Sequence, residues 1–252
     1  VHDFFVQDAK ACSVTNFDAQ LKELRDGFGE GVAMNMQNLV DSHDATRIGS
    51  AVANPDGKKF GDWGDYFNWS QKSSNTEYNA RKPNTEQLQK QKLIAAFQIL
   101  YLGSPMIYYG DECGMWGSND PDCRKPMVWD DKKYDSETFN PNQTIHDADK
   151  VDFNTDLFNW YKRFIGLRNK YDAIKKGSYT TLEINDAEKT YAFIRKIGSE
   201  EVIVILNRSD KNVNFNNPIL KKGEYKDVFT KKIMKNLQIK PMDIVVLSNT
   251  IF

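Results

Sequence analysis

Two short stretches concentrate the side chains that could do chemistry. The first is Asp41-Ser42-His43-Asp44, two carboxylates and an imidazole that follow the apolar run Val32–Val40. The second is GSPMIYYGDECGMWGSNDPDCRKPMVW, Gly103 to Trp129. There the apolar run Pro105–Tyr109 stops at Gly110 and releases Asp111, Glu112, Asp120, Asp122 and Arg124 among the aromatics Trp116 and Trp129. Carboxylates can move protons, stabilise developing positive charge or accept from hydroxyls, and a guanidinium offers a planar fork of donors. A buried strand opening into a polar, glycine-rich loop is what a (β/α)₈ barrel presents at the C-terminal end of a strand, where its active sites lie. Two strands that each release carboxylates at that end imply one shared pocket.

Composition narrows the field. The chain has 252 residues, 40% of them hydrophobic and 12% aromatic, enough for a large core and against disorder. Net charge is −1 and no Lys/Arg cluster stands out, so a basic nucleic-acid surface is not expected. No apolar run approaches the roughly 20 residues of a membrane span. The three cysteines, Cys12, Cys113 and Cys123, form no CxxC and have no neighbouring His, which argues against zinc. Free thiols are the simpler reading, with a Cys113–Cys123 bridge as the alternative in an oxidising compartment. The chain opens at Val1-His2-Asp3-Phe4-Phe5 without an initiator Met, and Phe4, Phe5 and Val6 look like the end of an amphipathic helix. A piece of a longer product is expected.

The elements that must hold these residues follow from periodicity. Asn16–Arg25 reads as a helix capped by Asn16, with Phe17, Leu21 and Leu24 on one face. Val32–Val40 and Met106–Tyr109 read as strands. The polar stretch from Ala45 to Asn84, which carries Trp63, Tyr66, Phe67 and Trp69, is a long functional or partly helical connection. Pro83 starts a strong helix, Asn84 caps it with Gln87 three residues on, and Leu93, Ala96, Phe97, Leu100 and Tyr101 line its apolar face. A further helix runs from Thr155 to Tyr171. From Gly177 the pattern changes to short alternating strands, Tyr179–Ile184, Thr190–Ile197, Glu201–Asn207, Asn212–Phe215, Tyr225–Asp227 and Asp243–Leu247, which is an all-β antiparallel sandwich. The division expected is α/β over residues 1–175 and all-β over residues 176–252. An open doubly wound sheet is the rival for the first part, but no GxGxxG turn follows either strand.

Asn38-Leu39-Val40-Asp41-Ser42-His43-Asp44 resembles the seventh-strand motif of the α-amylase family of glycoside hydrolases, and Gly103–Glu112 resembles its eighth-strand motif. Asp120–Trp129 is similar to the neopullulanase, cyclomaltodextrinase and maltogenic amylase branch, and the tail with Pro241–Leu247 is similar to the family's C-terminal domain. The resemblance implies the C-terminal portion of a TIM (β/α)₈ barrel, helix six through helix eight, followed by the all-β domain. It also implies a retaining enzyme acting on α-1,4-glucans such as starch pieces, pullulan, cyclodextrins or maltooligosaccharides. A glucan-transferring relative of the same fold and a non-catalytic carbohydrate-binding or scaffold protein are the rivals.

Residue by residue, the resemblance makes Asp44 the carboxylate that favours an oxocarbenium-like transition state, with His43 beside it donating to a sugar hydroxyl. Asp120 and Arg124 become a pair binding glucose on the non-reducing side, a surface ion pair being the plain alternative. Arg47 supports the loop, Glu112 serves as a structural hydrogen-bonding group, and the aromatic cluster at 63–69 either stacks on outer sugars or packs as a lid. The family's nucleophile Asp and acid/base Glu fall before Val1, since Arg25-Asp26 sits on a helix. These residues alone are therefore expected not to turn over. The chemistry asks for no cofactor or metal, and a structural calcium would belong to an upstream half. That half, or another chain, is expected to cover an apolar barrel edge. A polysaccharide substrate favours a periplasmic or extracellular location.

Overall fold

The computed structural model describes residues 2–7, 12–55, 62–222, 225–234 and 237–252. A short π-helical turn, His2–Val6, leads into α1 (Val14–Phe28), and α2 (Glu30–Ala33) follows. Phe17 and Leu21 are buried as the periodicity predicts, whereas Leu24 is exposed. Ser13, not Asn16, is the N-cap of α1: its hydroxyl accepts from Asn16 N at 3.1 Å. The N–H of Val14 is taken by Asp186 Oδ1, 2.6 Å away on a distant hairpin turn. A helix start satisfied across 172 residues can begin earlier than local spacing suggests.

The two predicted apolar strands are corrected to two residues each. β1 is Gln37–Asn38 and β2 is Ser104–Pro105, paired in parallel with Gln37 opposite Ser104 and Asn38 opposite Pro105. Val32 lies in α2, and residues 106–109 are irregular. Between β1 and β2 lie α3 (Ile48–Ala51), α4 (Trp63–Ser70) and α5 (Thr85–Leu100), so the long connection is partly helical. The α5 capping box is formed as expected, Asn84 accepting from Gln87 N at 2.9 Å and Gln87 Oε1 accepting from Asn84 N at 2.8 Å. α5 ends at Leu100 and the chain turns at Gly103, whose φ of +96° puts it in the left-handed region; a Cβ there would meet Met36 O at 2.5 Å. Parallel β1 and β2 separated by α5 are one crossover unit of the barrel.

The span after the second carboxylate loop holds a hairpin that the polar sequence does not reveal, β3 (Glu137–Phe139) and β4 (Ile145–Asp149). α6 (Thr155–Lys170) and α7 (Asp172–Lys176) follow. The all-β part comprises β5 (Ser178–Asn185), β6 (Thr190–Ile197), β7 (Glu200–Asn207), β8 (Val213–Phe215), the short α8 (Ile219–Lys222), β9 (Lys226–Asp227), β10 (Leu237–Ile239) and β11 (Asp243–Ser248). Five of the strands make one antiparallel sheet in the order β5-β6-β7-β11-β9, and β8 pairs with β10 in a second, with Phe215 opposite Leu237. Alternate residues explain the layers: Ala192, Ile194, Ile203 and Ile205 face β8 and β10, where Phe215 and Ile239 meet them.

The opposite face of the large sheet is equally apolar. Tyr191, Phe193, Val202, Val204 and Val246 join Phe4, Phe5, Phe17, Phe97 and Phe164 in one core that spans both parts of the chain. Polar groups lock the same interface. Asp18 accepts from Thr181 and Tyr191, both at 2.7 Å, and Arg208 donates to Phe5 O at 3.0 Å and Gln7 O at 2.7 Å. The β-domain is thus a rigid backing for the helices that carry the two loops. The barrel side is less covered: Phe28 and Leu39 are 56% and 47% exposed, and Val32 is exposed beside them.

Candidate active site

The four residues singled out by the sequence meet at one place. His43 and Asp44 leave the end of β1, Asp120 and Arg124 sit in the loop after β2, and the Arg124 guanidinium joins them. Its Nε lies 3.0 Å from the His43 carbonyl, to which it donates, and 2.8 Å from Asp120 Oδ1. Its Nη2 donates to Asp44 Oδ1 at 3.2 Å. Asp120 Oδ1 is a close ionic neighbour rather than an aligned hydrogen-bond partner of Arg124. On the other side of Asp44, His43 Nε2 is 3.1 Å from Oδ2. One guanidinium therefore bridges two carboxylates that are 76 positions apart in sequence.

The cluster faces solvent: the side chains of Asp44 and Arg124 are 60% and 47% exposed. Its underside is dry. Cys123, fully buried, donates its thiol to the His43 carbonyl at 3.2 Å, and burial together with the charge of Asp120 raises that thiol above its ordinary value. Cys12, Cys113 and Cys123 are all free and buried, so the Cys113–Cys123 bridge is not formed. Burial pushes the Cys113 thiol up to about 12. Thiols held neutral in this way pack as small apolar groups.

Beneath the exposed cluster lies a second, buried one. Arg47, with 0% of its side chain exposed, donates to Tyr109 O at 2.7 Å and to Asp111 Oδ1 at 3.2 Å. The rings of Tyr108 and Tyr109, packed edge to face, both lie against its guanidinium, with centroids 4.5 and 4.7 Å away. Asp41 accepts from Ile48 N at 2.6 Å, and Arg47 N donates to Gly117 O at 3.0 Å. This ties the turn after β1 to the loop after β2. Glu112 Oε2 accepts from Gly110 N at 2.9 Å, the structural role expected of it. The sequence places Arg47 as a loop support but gives no sign that Asp41 and Asp111 are its buried companions.

Among the helix α4 aromatics, Tyr66 lies 6.1 Å from Trp69, and Trp69 packs edge-on against buried Tyr78 at 5.0 Å. The Trp63 side chain lies outside the described residues. Tyr78 in turn shares a hydrogen bond of 2.7 Å with Thr46, two residues after Asp44, so these aromatics brace the turn. Among the described residues no group of three or more His, Cys, Asp or Glu side chains could hold a metal ion. No helix of the described residues is long and apolar enough to cross a membrane.

Two parallel strands joined through a helix, a polar cluster past their C-terminal ends and an appended antiparallel domain are the architecture of a barrel protein with its cleft at the strand ends. The family model for the α-amylase catalytic domain matches residues 3–177, and that for the maltogenic amylase C-terminal domain matches residues 179–242. The chain belongs to the α-amylase family. It is 30% identical over 191 residues to neopullulanase 2 of Thermoactinomyces vulgaris, covering 76% of this chain and 24% of that one. It is 36% identical over 138 residues to the cyclomaltodextrinase of Geobacillus thermopakistaniensis, covering 55% and 20%. Among solved structures, a cyclomaltodextrinase superimposes over 98% of this chain and 34% of its own with a TM-score of 0.66 at 22% identity. The cyclic α-maltosyl-(1→6)-maltose hydrolase of Arthrobacter globiformis covers 99% and 43% with a TM-score of 0.64 at 21% identity. The chain spans about a quarter or less of the length of those two curated relatives.

Proposed function

We propose that the chain forms one wall of the active-site cleft of a retaining hydrolase of α-1,4-linked glucans: starch pieces, pullulan, cyclodextrins or maltooligosaccharides. The observation that carries this is the convergence of His43, Asp44 and Asp120 on Arg124 at the ends of two parallel strands. The relatives' names, a neopullulanase and a cyclomaltodextrinase, support the substrate class. In this reading Asp44 stabilises positive charge as it develops on the sugar ring, which is worth more in the transition state than in the ground state. His43 donates to a hydroxyl of the same sugar, and Asp120 with Arg124 holds the glucose on the non-reducing side.

Retaining hydrolysis also needs a nucleophile and an acid/base, with carboxyl groups about 5–5.5 Å apart. The motif resemblance gives neither role to Asp44 or Asp120, so in this reading both catalytic groups come from barrel strands outside this segment, which dock on the face marked by Phe28, Val32 and Leu39. The test is to assay maltoheptaose and cyclodextrin cleavage by the chain alone and by the chain joined to the upstream barrel strands of a relative. Cleavage only by the joined protein, lost in Asp44→Asn, is the expected result. Turnover by the chain alone would overturn the division of labour. Transfer products in place of hydrolysis would move the activity to a transferase, and glucan binding without any turnover would make it a binding protein.

A further inference from the structure

Between the C-terminal half of α6 and the loop after β9 lies a cleft of about 270 Å³ to which no residue of the glucan site contributes. On α6, Lys162, Gly166 and Lys170 recur at i, i+4 and i+8 and so share one stripe, with Arg163 beside it. Phe229 and Lys231 line the cleft from the loop, and the Phe252 ring, 5.1 Å from that of Tyr171, completes the lining. The chain as a whole carries a charge of −1, yet every charged side chain in the lining is a cation. Lys231 donates to Phe252 O at 2.9 Å. Lys162, Arg163 and Lys170 make no hydrogen bond or ion pair with any described residue. The acids whose charge reaches Arg163 are Asp227 and Asp243, and both are engaged with backbone. Asp227 accepts from Phe229 N at 3.0 Å and Thr230 N at 2.6 Å, and Asp243 accepts from Ile244 N at 2.8 Å. The α6 dipole favours Lys170 in the last turn but gives no reason for Lys162 and Arg163 in mid-helix.

We propose that this cleft is a second ligand site, independent of the glucan reading, and that it takes a small organic phosphate carrying a flat apolar ring. Two features of the wall fit such a ligand. Arg163 is held in place by rings, its guanidinium 3.4 Å from the Phe229 centroid and 5.9 Å from that of Trp160, while its donors stay unspent. Gly166 keeps the floor open: a Cβ there would meet nothing within 4 Å. Glycine weakens a helix interior relative to alanine, and no neighbour here requires one. The chemistry of the lining selects the ligand. Its side chains supply ring faces, aliphatic carbon and cationic donors, with no carboxylate or amide acceptor. That favours an anion over a cation, and an apolar ring over a polyol, whose hydroxyls would lose their acceptors on burial. Three unpaired cations suit a phosphate monoester, which carries nearly two negative charges and three outward oxygens, better than a single carboxylate.

Isothermal titration of the chain with adenosine monophosphate at low ionic strength should give saturable binding at one site. Inorganic phosphate and adenosine each lack half of the ligand and should bind about tenfold more weakly or not at all. Glucose 6-phosphate should bind no better than inorganic phosphate. Lys162→Gln and Arg163→Gln should each weaken the adenosine monophosphate complex by about tenfold, and added salt should weaken it further. Gly166→Leu keeps every cation but fills the cleft, so binding should be lost while the unfolding temperature holds or rises. Should Arg163→Gln disturb the packing on Phe229, Lys162→Gln and Gly166→Leu leave that stack untouched. Absence of adenosine monophosphate binding, or equal affinity in wild type and Gly166→Leu, would overturn the site. Adenosine binding as tightly as its monophosphate would overturn the anion. Inorganic phosphate or glucose 6-phosphate matching adenosine monophosphate would overturn the ring. Binding abolished when the chain is joined to upstream barrel strands would give the cleft to those strands instead of a small ligand.

Discussion

Arg124→Ala is the substitution that best separates holding a sugar from holding a carboxylate. It deletes three contacts at once: 3.2 Å to Asp44, 2.8 Å to Asp120 and 3.0 Å to the His43 carbonyl. Stability should barely change. The side chain is 47% exposed, and ion pairs in water are worth about 0–1 kcal/mol, which for a chain of this size moves Tm by only ~2–4 °C per kcal/mol. The kinetic effect should be larger. A hydrogen bond to a charged group contributes about 1.5–3 kcal/mol, so losing the Asp44 contact lowers kcat/KM by roughly 10- to 150-fold. The assay is steady-state hydrolysis of maltotriose to maltoheptaose by the segment joined to its upstream barrel strands. If Arg124 mainly orients Asp44, kcat falls by the same factor at every chain length. If it mainly grips glucose, KM rises most for short oligosaccharides, because longer ones compensate at other subsites. Arg124→Lys should recover part of the charge but not the fork that reaches Asp44, Asp120 and the carbonyl together. Unchanged kinetics in Arg124→Ala at every length would refute both roles and return the Asp120–Arg124 pair to the surface.

Three further predictions concern single side chains. Asp44→Asn in the joined protein should cut kcat by roughly 10²–10³ or more while leaving the unfolding midpoint in place, since the side chain is mostly exposed. Phe17→Ala should destabilise the chain by about 3–5 kcal/mol in urea unfolding, because its ring fills the junction of Phe4, Phe5, Phe97 and Tyr191. Burial works against the Asp149 charge, but Arg81, with Nε 2.5 Å from Oδ2, and Lys82 N at 3.2 Å outweigh it and hold the carboxyl below its ordinary value. That contribution is present above about pH 4 and lost as pH falls through the folded value, so Asp149→Asn should flatten the acid limb of stability measured by urea titration.

The sequence is most legible where the cause of structure is local. The α5 capping box needs only Asn84 and Gln87, three residues apart, and β6 runs over Thr190–Ile197 as the alternation predicts. Convergence of the two carboxylate loops is legible as well, because both follow apolar runs at parallel strand ends. It becomes illegible where the partner is remote. Asp186 captures the start of α1 from another domain, so Ser13 rather than Asn16 becomes the cap. The strands predicted at 32–40 and 106–109 shrink to β1 and β2 because hydrophobicity sets which residues avoid water, while ladder length depends on neighbouring strands. The β3–β4 hairpin was hidden for a related reason. Most of its side chains are polar or exposed, Ile145 and Phe139 included, so no apolar alternation marks it.

The acidic residues of the two loops make the limit of sequence reading concrete. Asp41 and Asp44 are three positions apart on one turn, and Asp111 and Asp120 lie in one loop, yet each segment splits into a buried member and a more exposed one. The division follows from geometry. β1 and β2 run in parallel, so the first acid past each strand end is buried beneath the rim, and the later one lies nearer the cleft. Arginine completes both layers: Arg47 stays with Asp111 below and Arg124 with Asp44 and Asp120 above. The same carboxyl group therefore takes on opposite physical roles. Below, burial raises both carboxyls above their ordinary value; above, Asp44 lies open to water beside an exposed guanidinium. The lower layer fixes the turn, and only against a fixed turn can the upper carboxylate be aimed closely enough to favour one charge distribution over another.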